Sequence, residues 1–465
     1  MSLLHPDRLF PSDTASRDLA RRLFATVEGL PIISPHGHTD PMWWGQDRAF
    51  PDAAELFVMP DHYVTRMLIS HGVRMEALGY GKGAETDRRK IWRTFAEHYH
   101  LFRGTPTRLW LDHALSTLFH IEQRLSARTA DDSFDAINEK LLQPEYHPRA
   151  LYDRFGIEAI ATTDSAIDDL AEHQTVQASD WQGRVLPTYR PDSVSNPDDP
   201  GFLVQLDQLA EKTGISTETW DGYLDAHRAR RTFFKRHGAT ATDHGFPTPQ
   251  TTDLPQSEAS SLFARVRAGE ARTGEHALFR AQMLTEFARM SCEDGLVMQL
   301  HCGSRRDHSP YVLEHYGQNR GFDIPARVGF VDALKPLLDT VGFHPELQLI
   351  VFTLDESTYA RELAPLAGAY PCLKLGPPWW FHDSYEGMFR FRRMATETAG
   401  FYNTVGFNDD TRALCSIPAR HDVARRVDCA FLAELVISHR LDEAEAFELA
   451  PLLANGLARE AYRLG

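Results

Sequence analysis

The chain has 465 residues, of which 42% are hydrophobic and 25% charged, and its formal net charge is -16 at pH 7. This composition is typical of a globular protein, and the acidic balance without a Lys/Arg cluster argues against nucleic-acid binding. No apolar run approaches the roughly 18 residues that a membrane span needs, so we expect no membrane insertion. Five cysteines, odd in number and without a C-x-x-C pair, predict a reducing, cytoplasmic location.

Short apolar runs with β-branched residues recur along the chain and predict strands. They lie at about 30–35, 157–163, 185–189, 238–242, 296–301, 347–354, 371–376 and 404–408. Most are separated by amphipathic helical stretches, and this alternation predicts a parallel sheet. Eight such units indicate the α/β class and a (β/α)8 TIM-type barrel, which can span residues 1–465 as a single domain.

Two gaps between the predicted strands are too long for one crossover helix. Residues 41–150, rich in Trp, Leu, His and Arg, predict a large helical insertion after the first strand. A smaller helical insertion is predicted at 195–236. The apolar, aromatic-rich first insertion could also supply an interface in a homo-oligomer.

Polar residues follow the predicted strands, where barrel enzymes carry their catalytic groups. His36 and His38 end the first strand at a spacing of i, i+2, which places both side chains on one face and lets them bind one metal ion. The ends of the other strands carry further polar residues, namely Arg190, Asp243, His244, His301, Asp410 and Arg412. Their joint occurrence predicts a catalytic site at one end of the barrel.

Two histidines on the first strand, one on the fifth and an aspartate on the eighth are the arrangement of the amidohydrolase superfamily. Within it, the chain resembles the uronate isomerase (glucuronate isomerase) family. The resemblance spans nearly the whole chain and rests on Asp61-His62-Tyr63 with Arg66, Thr162-Thr163-Asp164, Pro187-Thr188-Tyr189-Arg190-Pro191-Asp192, Asp243-His244-Gly245, His301-Cys302-Gly303, Trp379-Trp380-Phe381 and Asp410-Thr411-Arg412.

This resemblance implies an aldose–ketose isomerase that converts D-glucuronate to D-fructuronate and D-galacturonate to D-tagaturonate through a metal-assisted cis-enediol(ate) mechanism. The implied ligands of one divalent ion are His36, His38 and Asp410. His301 is either a further ligand or a close hydrogen-bonding neighbour. Zinc is favoured, while manganese, cobalt and iron suit the same ligands. The family usually has one acid where this chain has Asp409-Asp410, and the Asp-x-Arg spacing favours Asp410.

The implied catalytic residues are Asp410, Arg412, Tyr63 and His62. Arg412 would stabilise the developing oxyanion, and either Tyr63 or Asp410 would take the C2 proton, although a tyrosine base needs a cationic neighbour. His62 would join as an acid/base or hydroxyl-binding group. The implied substrate-binding residues are Arg190, for the uronate carboxylate, with Asp243, Trp379 and Trp380. The structural alternative for Arg190 is an ion pair with Asp192 or Asp164.

Other functions stay open on the residues alone. The first alternative is a single-metal hydrolase or deaminase on the same barrel, which the ligand set allows. A two-metal hydrolase of this superfamily would carry a bridging lysine at the end of the fourth strand, where this chain has Asp243-His244. A second alternative is a barrel that only binds sugar acids. For each of these enzyme classes, the expected partner is a small-molecule substrate.

Overall fold

The computed structural model describes residues 3–465 as short strands alternating with helices. Met1 and Ser2, which the predicted range 1–465 includes, lie outside the described residues. The strands are β1 (Ile32–Ser34), β2 (Ile157–Ala161), β3 (Asp164–Ser165), β4 (Val185–Leu186), β5 (Tyr189–Arg190), β6 (Ala241–His244), β7 (Val297–His301), β8 (Ser304–Arg305), β9 (Ile324–Pro325), β10 (Leu349–Phe352) and β11 (Leu373–Leu375).

The helices are α1 (Thr14–Val27), α2 (Pro41–Gln46), α3 (Ala53–Phe57), α4 (His62–Ser70), α5 (Arg88–Glu97), α6 (Pro106–His113), α7 (Ala130–Leu141), α8 (Pro148–Arg154), α9 (Ala171–Gln177), α10 (Phe202–Thr213), α11 (Trp220–Arg236), α12 (Gln256–Arg267), α13 (Thr273–Asp294), α14 (Pro310–Tyr316), α15 (Val331–Val341), α16 (Ala364–Ala367), α17 (Tyr385–Ala399), α18 (Ile417–Ile437), α19 (Glu443–Pro451) and α20 (Leu457–Ala461). None of these helices is both long and apolar enough to cross a membrane.

The strands form parallel sheets, as the β-then-α alternation predicts. One sheet has the order β1-β2-β4, and the other β11-β10-β7-β6-β5-β3. The two are closely connected, because β3 and β5 continue β2 and β4 after a two-residue gap and pair with each other in parallel. A separate antiparallel pair, β8-β9, lies in the segment after β7. The fold class is therefore α/β with parallel sheets.

Seven of the eight predicted strands are present, and the eighth is not a strand. At 404–408 the structure has a single parallel bridge between Leu375 and Thr404. Two backbone hydrogen bonds join this segment to Leu375. The amide of Leu375 donates to the carbonyl of Asn403, and the amide of Val405 donates to the carbonyl of Leu375. Gly406 then adopts φ +73°, which interrupts the extended backbone that a strand requires.

The segment between β1 and β2 is helical, and its sequence contains several residues that cap the N-terminus of a helix. Asp40, Asp52, Asp61 and Asp87 each accept a backbone N–H at the start of a helix. The apolar faces of these helices share one core with β1, β2 and β4, in which Trp44, Phe57, Trp92, Phe95 and Tyr99 are buried. Helices α10 and α11 occupy most of 195–236.

The strand residues alternate between two faces, and this alternation positions the polar residues at the strand ends. Ala241, Val297 and Ile350 share a buried cluster with Tyr462 from the C-terminal segment; we call their side of the sheet the inner face. Met298, Leu300, Leu349 and Val351 alternate with them and pack in the core that includes α13 and α15. Asp243, His301 and Phe352 are therefore the last inner-face residues of β6, β7 and β10.

Candidate active site

The carboxyl ends of β6 and β7 bring Asp243 and His301 together. The Nδ1 atom of His301 lies 2.5 Å from Oδ1 of Asp243, and both side chains are buried. The ring of Phe352 stacks on His301 with 3.9 Å between ring centroids, because β10 pairs with β7 in a register that sets Phe352 beside His301. His301 is thus held by a carboxylate at one nitrogen and by an aromatic ring against its face.

A possible metal site forms where His301 meets His36 and Asp410. Each of these three residues offers one ligand atom, and these atoms all lie within 4.8 Å of one another. The buried atoms Nε2 of His301 and Oδ1 and Oδ2 of Asp410 have no hydrogen-bond partner within residues 3–465. Unpartnered nitrogen and carboxylate atoms that face each other in a buried site suit a divalent ion. The residues present therefore fit the predicted metal.

His38 lies beside this group rather than within it. Its Nε2 atom is 3.3 Å from Oδ1 of Asp410, while Nε2 of His36 is 3.6 Å from the same oxygen. The His36 side chain is 1% exposed and that of His38 is 29% exposed. The structure therefore gathers the other three predicted ligands around Asp410, with His38 on the open side.

The two adjacent acids of the last segment face different partners. Oδ2 of Asp409 lies 3.1 Å from Nε2 of the buried His421, and its backbone oxygen accepts a hydrogen bond from Arg420. Asp410 has φ +38°, a conformation that turns the chain sharply after Asp409. Its carboxylate lies against His36 and His38, as the Asp-x-Arg spacing predicts.

The electrostatics of this group suit metal binding. Burial alone would raise the pKa of the Asp410 and Asp243 carboxyls, but the neighbouring histidines and, for Asp243, Arg190 lower both below their usual values. Burial and the adjacent His301 lower the pKa of His36 to about 3. At neutral pH both carboxylates are charged and His36 is neutral, which are the forms that bind a metal ion.

Arg412 and His62 contact each other at an exposed position. Nη1 of Arg412 lies 3.2 Å from Nε2 of His62, at the first residue of α4. Burial and the charge of Arg412 lower the pKa of His62 to about 3, so the neutral imidazole can accept from the guanidinium. His62 thus holds one nitrogen of the Arg412 guanidinium.

Tyr63 is fixed by two hydrogen bonds. Its hydroxyl donates to Oδ1 of Asp383 at 2.7 Å and accepts from the backbone N–H of Phe381 at 2.9 Å. Burial and the charge of Asp383 raise the pKa of the Tyr63 hydroxyl well above its usual value. A protonated, doubly bonded hydroxyl is disfavoured as a base.

Arg190 is engaged by two carboxylates. Its Nε donates to Oδ2 of Asp192 at 2.9 Å, and its Nη1 lies 3.0 Å from Oδ2 of Asp243. The third nitrogen, Nη2, lies so close to Gly245 that a Cβ there would be 2.0 Å away, so a larger residue at this position would displace the Arg190 guanidinium. The ion pair with Asp192 is thus present, and carboxylate binding by Arg190 stays a prediction that would require one partner to be released.

The two tryptophans lie one after the other between His301 and His62. Trp379 meets the ring of His301 edge-on at 4.9 Å, and Trp380 stacks on Trp379 at 5.7 Å. His62 lies 6.1 Å from Trp380. A narrow cleft beyond Trp380 is lined by His62, Tyr63, Arg66, Asp323, Trp380 and Phe381.

Four residues of the site environment were not foreseen from the sequence. Asp383 and Arg420 form a buried ion pair of 2.6 Å, and His421 binds Asp409. No motif marks the two residues of α18. Phe352 could have been found, since it lies in the predicted strand 347–354 on the face that alternation assigns to the interior.

Comparison with known proteins decides the family. The family model described as Glucuronate isomerase matches residues 10–452. The chain belongs to the glucuronate isomerase family. It is 63% identical to the uronate isomerase of Rhizobium meliloti over 466 residues, which covers 99% of each chain.

Solved structures of glucuronate isomerase family members agree over the whole chain. The crystal structure of glucuronate isomerase from Caulobacter crescentus has a TM-score of 0.98 at 53% identity and covers 100% of this chain and 98% of that chain. The uronate isomerase from Thermotoga maritima has a TM-score of 0.92 at 28% identity, with 99% of each chain covered. The resemblance drawn from the sequence is confirmed, and the chain is an isomerase rather than a hydrolase or deaminase.

Proposed function

We propose that this chain converts D-glucuronate to D-fructuronate and D-galacturonate to D-tagaturonate at the group formed by His36, His301 and Asp410. The observation that carries the proposal is the set of unpartnered buried ligand atoms of His301 and Asp410, in a member of the glucuronate isomerase family. Moving a carbonyl from C1 to C2 needs a group that removes a proton, a group that returns it and a cation that stabilises the enediolate between them.

Asp410 suits the proton transfer better than Tyr63. Its carboxylate is ionised at neutral pH and Oδ2 is free of partners, whereas the Tyr63 hydroxyl is protonated and donates to Asp383. In the proposed step, Asp410 takes the C2 proton of the open-chain aldose and returns it at C1, while the proton of the O2 hydroxyl passes to O1 through the enediolate. Arg412, oriented by His62, donates to the oxygen on which negative charge develops.

His36, His301 and Asp410, with His38 at the open side, would hold the divalent ion. When bound, such an ion supplies Lewis-acid chemistry toward the carbonyl and hydroxyl oxygens of the substrate. Asp243 positions His301 through Nδ1, which leaves Nε2 free to bind the ion. Two nitrogen donors and a carboxylate favour zinc, with manganese, cobalt and iron as alternatives.

The strand order supports a closed (β/α)8 barrel in a single domain, with helical insertions at 41–150 and 195–236. The order β1-β2-β4 continues through β3 and β5 to β6, β7, β10 and β11. Beyond β11, Leu375 pairs with Thr404, and the amide of His38 donates to Thr411 at 3.0 Å, so the last segment contacts both neighbours that closure requires. Assembly into a homo-oligomer stays a prediction.

The test is an assay of purified protein with its metal content measured. We expect ketose formation from D-glucuronate and D-galacturonate, detected by chromatography of the products. Absence of ketose from both uronates, in protein that contains stoichiometric metal, would refute the proposed substrates.

A further inference from the structure

We propose that Arg66 binds the carboxylate of the uronate substrate, an inference that rests on the proposed function. Arg66 lies on α4, one turn after His62, and its side chain is half-buried in the cleft beyond Trp380. Residues three or four apart on a helix share a face, so Arg66 follows His62 along the same side of the cleft.

The guanidinium of Arg66 lacks an anionic partner. Across residues 3–465, no carboxylate oxygen lies within 4.0 Å of its nitrogens, whereas Arg190 and Arg420 each form ion pairs. Its carbon Cζ sits 4.3 Å above the ring of Phe381. Burial lowers the pKa of Arg66 without an adjacent carboxylate to offset the loss of water. A half-buried cation stacked on an aromatic ring, with its nitrogens unpaired, is ready to bind a planar anion.

The position of Arg66 suits the shape of a hexuronate. The reacting carbons C1 and C2 are at one end of the molecule and the C6 carboxylate is at the other. His62 connects the two ends of the site, because it contacts Arg412 at 3.2 Å and also lines the cleft with Arg66. A substrate whose C1 and C2 lie near Asp410 and Arg412 would therefore extend its carboxylate toward Arg66. The carboxylate would displace side chains that line the cleft, because the cleft encloses only about 10 Å³.

Arg190 does not have this geometry. It contacts Asp243, which itself holds His301, so Arg190 lies at the metal-binding end of the site. Its guanidinium nitrogens already contact the carboxylates of Asp192 and Asp243. The acid that lines the cleft, Asp323, accepts the N–H of Asp307 at 2.7 Å and lies 3.4 Å from Arg306, so its charge is already offset.

The test compares Arg66→Met with the wild-type enzyme in two measurements. The first is steady-state kinetics with D-glucuronate, where we expect KM to rise at least about 10-fold with kcat close to the wild-type value. The second is competitive inhibition by L-gulonate, which is D-glucuronate with the C1 aldehyde reduced, and by D-glucitol, in which the carboxylate is reduced as well. We expect the L-gulonate constant to rise by a similar factor and the D-glucitol constant to stay unchanged.

Three controls separate the possible failures. Arg66→Lys should recover part of the L-gulonate affinity, because it restores charge without the planar fork. Arg236→Met removes an exposed arginine at the end of α11, before β6 begins, and should leave both KM and inhibition unchanged. Circular dichroism and metal content show whether each variant is folded and loaded, and Arg66→Gln replaces Arg66→Met if the latter does not fold.

Each outcome is informative. Unchanged KM and L-gulonate inhibition in a folded Arg66 variant would overturn the inference, as would an equal loss of L-gulonate and D-glucitol binding. If Arg190→Met alone weakened L-gulonate selectively, the carboxylate would belong to Arg190. A wild-type enzyme that forms no ketose from either uronate would refute the proposed function itself, whatever the variants show.

Discussion

The hydroxyl of Tyr63 donates a 2.7 Å hydrogen bond to the carboxylate of Asp383, although 320 positions separate the two residues in the chain. The bond joins the start of α4 to the segment that carries Trp379 and Trp380. Arg420 extends the connection, since it pairs with Asp383 at 2.6 Å and donates to the backbone oxygen of Asp409. Three segments that carry site residues are thereby held together.

The first prediction is that Tyr63→Phe impairs the enzyme through position and stability. Loss of a buried hydrogen bond to a carboxylate should cost about 1.5–3 kcal/mol in the free energy of unfolding, measured by urea denaturation. The effect on kcat should be modest, and Asp383→Asn should destabilise the protein more than Tyr63→Phe, because it also deprives the buried Arg420 of its carboxylate. The double variant should lose less than the sum of the two single changes. A fall in kcat of about 10²–10⁴-fold with unchanged stability would instead identify Tyr63 as a proton-transfer group.

The second prediction distinguishes the two adjacent acids. Asp410→Asn should lower kcat by at least about 10²–10⁴-fold and reduce the bound metal, because the variant lacks both the charged ligand and the proposed base. Asp409→Asn is the matched control and should retain bound metal, since Asp409 faces His421. Metal content by mass spectrometry and kcat for D-glucuronate are the measurements. The reverse ranking would assign the ligand role to Asp409.

The third prediction concerns the pair of Arg190 and Asp243. Asp243 is fully buried, so removal of Arg190 leaves a buried carboxylate with one partner fewer. Arg190→Met should destabilise the protein by about 3–5 kcal/mol and weaken metal binding through His301. Metal titration and thermal unfolding measure this. Unchanged metal affinity with a raised KM would favour the carboxylate-binding role of Arg190.

The fourth prediction is a pH dependence of stability that arises from His227. Its ring is buried, its Nδ1 lies 2.6 Å from the Tyr189 hydroxyl, and burial with nearby Arg231 lowers its pKa to about 3. The folded pKa lies below the unfolded value, so the stabilisation is present above pH about 6.5 and is lost as the pH falls toward 3. Over that window the His227 contribution falls by up to about 1.4 kcal/mol per pH unit.

The measurement for His227 is the free energy of unfolding between pH 8 and pH 4. This range includes the ordinary pKa of an imidazole, about 6.5. His227→Gln should flatten the decline below pH about 6.5 relative to the wild type. His344→Gln, which replaces an exposed histidine, should follow the wild-type curve. Parallel curves for wild type and His227→Gln would show that His227 titrates alike in both states.

The sequence predicts seven of the eight strands, because period-2 alternation and apolar runs are local signals. His36, His38 and His301 follow or end parallel strands whose carboxyl ends converge on one side. Asp410 reaches them from the irregular last segment, where the Thr411 oxygen accepts a hydrogen bond from the His38 amide. The prediction of the eighth strand was wrong. The apolar run at 404–408 is typical of a strand, but Gly406 adopts a positive φ that interrupts the extended backbone.

The contacts that join distant segments could not be predicted. Nothing local to Arg190 indicates that it pairs with Asp192 and Asp243 rather than remaining free, because partner choice depends on side-chain geometry at the strand ends. The same holds for Tyr63 and Asp383, and for Arg420 on α18. These interactions decide which polar residues are available to a substrate.

The most direct test of the proposed mechanism is proton NMR of D-glucuronate in D₂O with metal-quantified wild-type enzyme and Asp410→Asn. The wild type should form D-fructuronate and show the transferred hydrogen, or deuterium exchanged for it, at C1. Asp410→Asn should form no ketose and leave the C2 proton of D-glucuronate in place. Ketose formation by Asp410→Asn at a rate near that of the wild type would contradict the role of Asp410 as the group that moves the proton.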